Sequence, residues 1–263
     1  MGKADYKRKA ITILSAEGIE QSCNPYFWAL YRDLLQKDGY GEDNADFKEQ
    51  YQQWIDHIKS FGLGSKLANT DIREQSPGAL PSISLYDKIY GPLGWKAITI
   101  RSLSIGQGEI LVTPLQLANM TAAVANKGYY ITPHLNKNDS LKSVVNKTSI
   151  DEKHFDVIHS GMERVMTDGT GKWYNIPELQ ICGKTGTVQN PHGEDHALFI
   201  GFAPMDNPQI AVAVAVENAG FGATWAAPIA SLMIEQYLTG EIKRKELKNR
   251  IANTIINESV KIW

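Results

Sequence analysis

The sequence predicts an α+β fold in which an antiparallel sheet is packed with helices and joined to a helical subdomain. Two observations carry that reading. Residues 19–180 hold a succession of segments with apolar residues at helical spacing, most of them preceded by helix-start signals. Residues 181–187, 197–203 and 209–217 are instead short apolar runs of strand type, joined by connectors of 9 residues (188–196) and 5 residues (204–208). Connectors that short favour antiparallel neighbours over a helical crossover, so a meander is the economical topology.

In chain order, residues 1–18 are a leader with no assigned structure. Within it the basic stretch Lys3 to Lys9 runs into "KAITIL" (residues 9–14), which reads either as a substitute edge strand or as a flexible leader. Asn24-Pro25 reads as a cap followed by proline in the first turn, opening a helix with an apolar face of Phe27, Leu30, Tyr31, Leu34 and Leu35 that ends before Gly39. Asp46 and Glu49 form a capping box for the next helix, with Phe47, Tyr51, Trp54, Ile55 and Ile58 on one side and Gly62 at its end. Residues 64–96 are rich in Gly, Pro, Ser and Asp without a sustained period, and read as a long irregular connection. Thr113-Pro114-Leu115-Gln116 combines a capping box with a first-turn proline and starts a helix running to about Asn126, before Gly128. Ser149 to Glu152 repeats the capping-box pattern ahead of Phe155, Ile158, Met162 and Val165.

The third apolar run, "IAVAVAV", alternates bulky residues with alanine, so both faces are apolar and the smaller alanine face suits a close-packed helix. That helix is Ala227 to Leu238, with Ile229, Leu232, Met233 and Tyr237 sharing a face and Gly240 following. The charged tail, residues 241–263, has Leu247, Ile251 and Ile255 at helical spacing and reads as a terminal helix or a frayed extension.

Composition narrows the function. With 263 residues, 43% hydrophobic and 21% charged, the chain can build a large core, and a net charge of −2 with no long basic run gives no support for nucleic-acid binding. The longest apolar run near the start, Ala10 to Leu14, is too short for a spanning helix or a secretory signal. Cys23 and Cys182 cannot make a disulfide framework and form no zinc pattern, so both read as buried thiols.

The chemistry concentrates in "CGKTGTVQN", residues 182–190. A phosphate-binding loop would need glycine five positions before Gly183, where Glu178 stands instead, and a helix after Thr185, where a strand and turn follow. An NTPase is therefore excluded. The remaining reading is acyl transfer at a strand edge. Lys184 supplies a fixed positive charge and Gly186 admits a substrate backbone. Thr185 and Thr187 offer hydroxyls, and Thr187 also an N–H, so the strand can hold a carboxylate and a developing oxyanion together. Ser22 and Asn24, at a helix mouth, would add a hydroxyl relay and an amide.

"SCN", "CGKTGT", "TPLQLANMTAAVANKGYY", "ALFIGFAP" and "VENAGFGATWAAPIA" together resemble the transpeptidase domain of a class B penicillin-binding protein of the elongation type, over roughly residues 19–240. The resemblance implies a beta-lactamase/transpeptidase-like fold and peptidoglycan D,D-transpeptidation by serine acyl transfer, acting on D-Ala-D-Ala stem peptides. By it, Ser22 relays a proton and Asn24 holds the substrate amide. Lys184 polarises Ser22 and attracts the terminal carboxylate, and Thr187 binds that carboxylate beside Thr185 and Gly186. It also implies beta-lactam antibiotics as ligands, a SEDS-type glycosyltransferase and other elongation-machinery proteins as partners, and a membrane-anchored parent at the periplasmic face.

One departure stands against that pattern. No serine in the sequence is followed three positions later by lysine, so the S-x-x-K nucleophile and base are absent. The expectation is an N-terminally truncated domain, 19–240, inactive alone, whose sheet keeps a bare edge beside 209–217. The alternative is a non-catalytic module that recognises peptidoglycan stems or acts as a scaffold. Milder readings accompany the sharp ones: Lys184 as a solvated strand lysine, Ser22 and Asn24 as helix caps only, and Cys182 with His192 or His196 as a thiol dyad. Glu217 and Asn218 read as the start of a turn, and the six tryptophans as core or rim packing rather than a sugar-stacking platform. No metal and no cofactor are expected.

Overall fold

The computed structural model describes residues 15–36, 45–136 and 144–256; "KAITIL", Gly39 and the end of the tail lie outside them. The described chain divides into two compact units.

The first unit comprises residues 23–116 and 128–151. Its helices are α2 (Asn24–Leu35), α3 (Ala45–Ser60) and α4 (Ile83–Tyr90), with a 3₁₀ turn at Arg101–Ile105. Strands β1 (Tyr129–Ile131) and β2 (Val145–Lys147) form an antiparallel pair. An aromatic core holds the unit together. Trp95 is fully buried among Phe47, Tyr51 and Tyr86, with ring centroids 5.0 to 5.3 Å away in edge-on or tilted geometry, arrangements favoured by the ring quadrupoles. The indole N–H finds a partner in Asp87 Oδ1 at 2.7 Å, and Lys48 pairs with the same carboxylate at 2.8 Å.

The sequence reading needs three corrections here. Residues 64–96 are not one irregular connection: Ser82 caps α4 by accepting from Leu85 N–H at 3.2 Å, and Gly91 ends it with φ 80°. The signal, serine before and glycine after an eight-residue apolar run, was hidden by the proline and glycine around it. Leu30 and Leu34 are exposed, while Tyr31 and Leu35 are buried, so α2 presents a narrower stripe than its apolar spacing suggests. Asn24 and Asp46 are helical residues rather than caps. The N-cap of α2 is Cys23, which makes no side-chain cap bond, and Asp46 is the second residue of α3.

The Thr113/Gln116 capping box is present. Thr113 N–H donates to Gln116 Oε1 at 3.0 Å and Gln116 N–H to Thr113 Oγ1 at 3.2 Å, starting α5 (Pro114–Ala125). The box proposed at Ser149 is not; Ser149 bonds Ser60 and His57 instead.

The second unit comprises residues 15–22, 117–127 and 152–256 of the described chain. It contains α1 (Ser15–Glu20), most of α5, α6 (Phe155–Thr167), α7 (Ala226–Thr239) and α8 (Lys245–Asn253). The sheet, in order β3 (Cys182–Val188), β4 (His196–Ala203) and β5 (Ile210–Val216), is the expected antiparallel meander. Helix α6 packs on β3, and α7 on β4 and β5.

The packing of β5 and α7 departs from the expected pattern only in part. On the valine face Val212 and its register neighbours Phe199 and Ala197 are buried, and on the alanine face Phe202, opposite Ala211, is fully buried as well, while Ala215 is exposed. In α7 the buried stripe is Ala227, Ala230, Ser231, Leu232 and Ile234; of the expected face Leu232 is buried, while Met233 and Tyr237 are exposed. Small residues beside Leu232 and Ile234 let the helix lie close to the strands, and Met233 and Tyr237 are left outward.

Candidate active site

Ser22 is placed by a short helix, Ser15–Glu20, whose first four residues the sequence reading assigned to the leader. Helix α1 lies on α6, with Ile19 seated over Gly161, where an added Cβ would fall 2.8 Å from Ile19 Cδ1 and 2.9 Å from Ile19 Cβ. Glu20 carries an ion pair with Arg164 at 3.7 Å. The helix then stops: Ser22 N–H donates to Ile19 carbonyl at 3.1 Å, and Ser22 itself adopts φ 50°, the left-handed region. A non-glycine residue there costs about 1 to 2 kcal/mol, so the packing of α1 holds the serine in a backbone state it would not choose.

Lys184 arrives from β3, which α6 also contacts. Its Nζ donates to Ser22 Oγ at 2.7 Å, across 162 residues of sequence, and to Thr185 carbonyl at 2.9 Å. The ammonium is half-buried, and burial lowers its pKa to about 8. Desolvation disfavours the charged form. At neutral pH the lysine is still mostly cationic, yet it is near enough to its midpoint to give up a proton.

The other sequence-predicted residues follow along β3. Thr185 Oγ1 lies 2.6 Å from Thr170 Oγ1, a residue the sequence reading missed; its flanking Gly169 and Gly171, which leave no room for Cβ atoms beside Glu20 carbonyl and Met166 Sδ, were the available signal. Thr187 Oγ1 accepts from Gly222 N–H at 3.3 Å. A Cβ on Gly222 would lie 2.2 Å from Gly186 carbonyl oxygen, so the loop after β5 presses directly on the strand at Gly186. Among the described residues β3 pairs only with β4, leaving its other edge without a strand partner. Asn24 opens α2 two residues beyond Ser22, and it is exposed.

A hydrogen-bonded turn network fixes the far end of β3. Asn190 N–H donates to Asp195 Oδ1 at 3.1 Å, its amide donates to Asn218 Oδ1 at 2.7 Å, and Asn218 N–H donates to His196 Nδ1 at 3.0 Å. The histidine is thereby engaged in a turn. It cannot serve Cys182, which sits six residues from the Val188 partner of His196, roughly 20 Å along the strand. Cys182 instead donates to His159 carbonyl at 3.7 Å, and burial pushes its thiol up to about 12. The pairing of Cys182 with His196 is ruled out. Cys23 is half-buried rather than buried, and both cysteines are free. Among the described residues no group of His, Cys, Asp or Glu has metal-site geometry, and no helix is long and apolar enough to cross a membrane.

The sequence profile of the penicillin binding protein transpeptidase domain matches residues 2–235. The peptidoglycan D,D-transpeptidase MrdA of Acinetobacter baumannii is 32% identical over 279 residues, covering 96% of this chain and 38% of that protein. MrdA of Haemophilus influenzae is 30% identical over 276 residues, covering 86% and 42%. The chain thus spans about 40% of the length of these curated relatives. Among solved structures, Pseudomonas aeruginosa PBP2 in complex with WCK 5153 superposes with a TM-score of 0.67 at 32% identity, over 89% of this chain and 50% of that one. The α+β fold is shared with it. On the profile match and the relatives together, the chain belongs to the penicillin-binding protein transpeptidase domain family, in its class B, MrdA-type branch.

Proposed function

We propose that this chain supplies the carboxylate-binding and proton-relay side of a peptidoglycan D,D-transpeptidase site. The observation that carries the reading is the 2.7 Å contact between Lys184 Nζ and Ser22 Oγ. In this reading the ammonium attracts the terminal carboxylate of a D-Ala-D-Ala stem while Thr185 and Thr187 bind it by hydrogen bonds. A stem peptide adds along the free edge of β3 beside Gly186, the usual way an extended peptide joins a sheet. Ser22 passes a proton toward the departing D-alanine nitrogen, Lys184 sets the acidity of that hydroxyl, and Asn24 holds the substrate amide.

In the complete reaction a serine oxygen bonds to the penultimate D-alanine carbonyl, and the amide C–N bond breaks. The terminal D-alanine leaves with the proton, and an amine from a neighbouring strand then displaces the serine. The attacking serine belongs to an S-x-x-K motif that this sequence does not contain. The 263-residue chain is therefore inactive by itself and takes no covalent label from a fluorescent penicillin. A stoichiometric label mapped to a serine by mass spectrometry would overturn this.

The same missing motif favours a second reading, a stem-binding module without chemistry. An S-x-x-K supplied by a longer form of the protein, restoring penicillin labelling, decides for the enzyme. By the family resemblance we further propose that the parent protein works at the periplasmic face of the membrane, with a SEDS-type glycosyltransferase and other elongation-machinery proteins as partners.

A further inference from the structure

The second unit carries a cleft of about 620 Å³ between two short segments: Trp173, Tyr174 and Asn175, shortly before β3, on one side, Lys243 to Leu247 on the other. Its walls are tied together from below. Arg244 donates through Nε to Glu235 Oε2 at 2.9 Å, through one amino group to Ser231 Oγ at 2.8 Å, and through the other to Tyr174 carbonyl at 3.3 Å. Lys243 N–H donates to the remaining oxygen of Glu235 at 3.0 Å, and Ser231 hydroxyl to Tyr174 carbonyl at 2.5 Å. Glu235 is buried, so its charge neutralises Arg244 and nothing outside.

The rim is unlike the floor. Trp173 is 81% exposed, a large apolar ring left in water, with Lys172 Nζ 5.3 Å from its centroid. Packing does not account for it. Lys243 and Lys245 are exposed, and among the described residues neither has a carboxylate partner. Arg250 adds a further cation, its guanidinium 5.8 Å from the Tyr174 ring and bonded to Tyr174 hydroxyl at 3.2 Å. Against these stands Glu246 alone among the lining residues. A pre-formed cleft of this size matches one small ligand rather than a protein surface. Its chemistry asks for a ring with an apolar face to lie on the indole and an anionic group for the ammoniums. An acidic peptide would satisfy the charges and leave the indole unused.

We infer that this cleft is a second binding site, for a sugar ring with a carboxylate on its attached peptide. Given the proposed substrate, on which this identification rests, the unit is the muramyl portion of peptidoglycan, which carries a pyranose ring and an acidic stem. The cleft would hold the pyranose ring and the acidic beginning of its stem, while the D-Ala-D-Ala end of the stem is presented elsewhere.

The test is an NMR titration of the full chain, following the Trp173 indole N–H signal, and in every variant the backbone amide signals of Lys243 to Leu247, as N-acetylmuramyl-L-alanyl-D-isoglutamine, with one ring and one free carboxylate, is added. Saturable binding is expected, weakened about fivefold or more by Trp173→Ala, as for loss of an aromatic anchor. The Lys243→Ala/Lys245→Ala pair is expected to weaken it about threefold or more, the sum of two modest exposed ion contacts. N-acetylglucosamine and a triglutamate peptide should each bind more weakly. No saturable shift, a Trp173→Ala variant that binds unchanged, or triglutamate binding as tightly as the muramyl probe would each overturn the inference. A parallel titration with N-acetyl-D-alanyl-D-alanine, read at the Lys184 side chain, tests the β3 site independently, so failure of either site shows by itself.

Discussion

Lys184 is the point at which the structure makes a quantitative commitment. Burial lowers its pKa to about 8, against 10.5 for a lysine in water. Between those two values the unfolded chain binds the proton that the folded chain has released, so stability conferred by this residue rises with pH across that window. Below pH 8 the full cost of burying the ammonium is present; above 10.5 it is gone. A shift of that size corresponds to about 3 kcal/mol, and integrating the proton-binding difference from pH 7 to pH 10 leaves a gain of about 2 to 3 kcal/mol for the folded state. Other groups titrate in the same range, so the comparison is with Lys184→Met, which keeps a long side chain and removes the proton. Denaturant unfolding at pH 7 and pH 10, followed by a signal from the second unit, should show the wild-type chain gaining about 2 to 3 kcal/mol relative to the variant. A direct titration of the Lys184 side chain by NMR should give a midpoint near 8. A difference that stays within about 1 kcal/mol, or that changes in the opposite direction, would show that the ammonium is solvated and refute the reasoning.

Two further outcomes follow from the packing. Gly161→Ala gains about 1 kcal/mol of helix propensity but drives a methyl into Ile19, at an overpacking cost of about 1 to 3 kcal/mol; the net result should be a mildly less stable chain in which α1 is displaced and the Lys184 midpoint moves, and an unmoved midpoint would separate α1 from the placement of Ser22. Cys182, its thiol pushed up by burial, should resist iodoacetamide at pH 8 in the folded chain while half-buried Cys23 reacts first; peptide mapping showing equal labelling would contradict the buried setting of Cys182.

Short-range physics made much of this molecule readable in advance. The sheet was legible because turn-bounded apolar runs with 9- and 5-residue connectors leave an antiparallel meander as the natural solution, and the register confirms it residue by residue. The Thr113/Gln116 box was legible because both partners lie within one turn of chain. Lys184, Thr185, Gly186 and Thr187 stood out as one strand of unusual chemistry, and Ser22 as its partner through the resemblance.

What the sequence could not decide were quantities set by distant neighbours. Trp173 and Trp95 are the same residue type, yet one is 81% exposed and the other fully buried, because only tertiary contacts determine which ring meets a core. The stripe of α7 was misread for a related reason: helical spacing offers several faces, and the one that turns inward is the one that lets helix and strands approach. The 2.7 Å contact of Lys184 with Ser22 has the same origin. Its ends lie 162 residues apart, and they meet because Gly161 lets α1 rest on α6, which in turn packs against β3. Local sequence determined which groups were chemically able; the packing of three elements determined that they touch, and burial at that contact determined the acidity of the lysine.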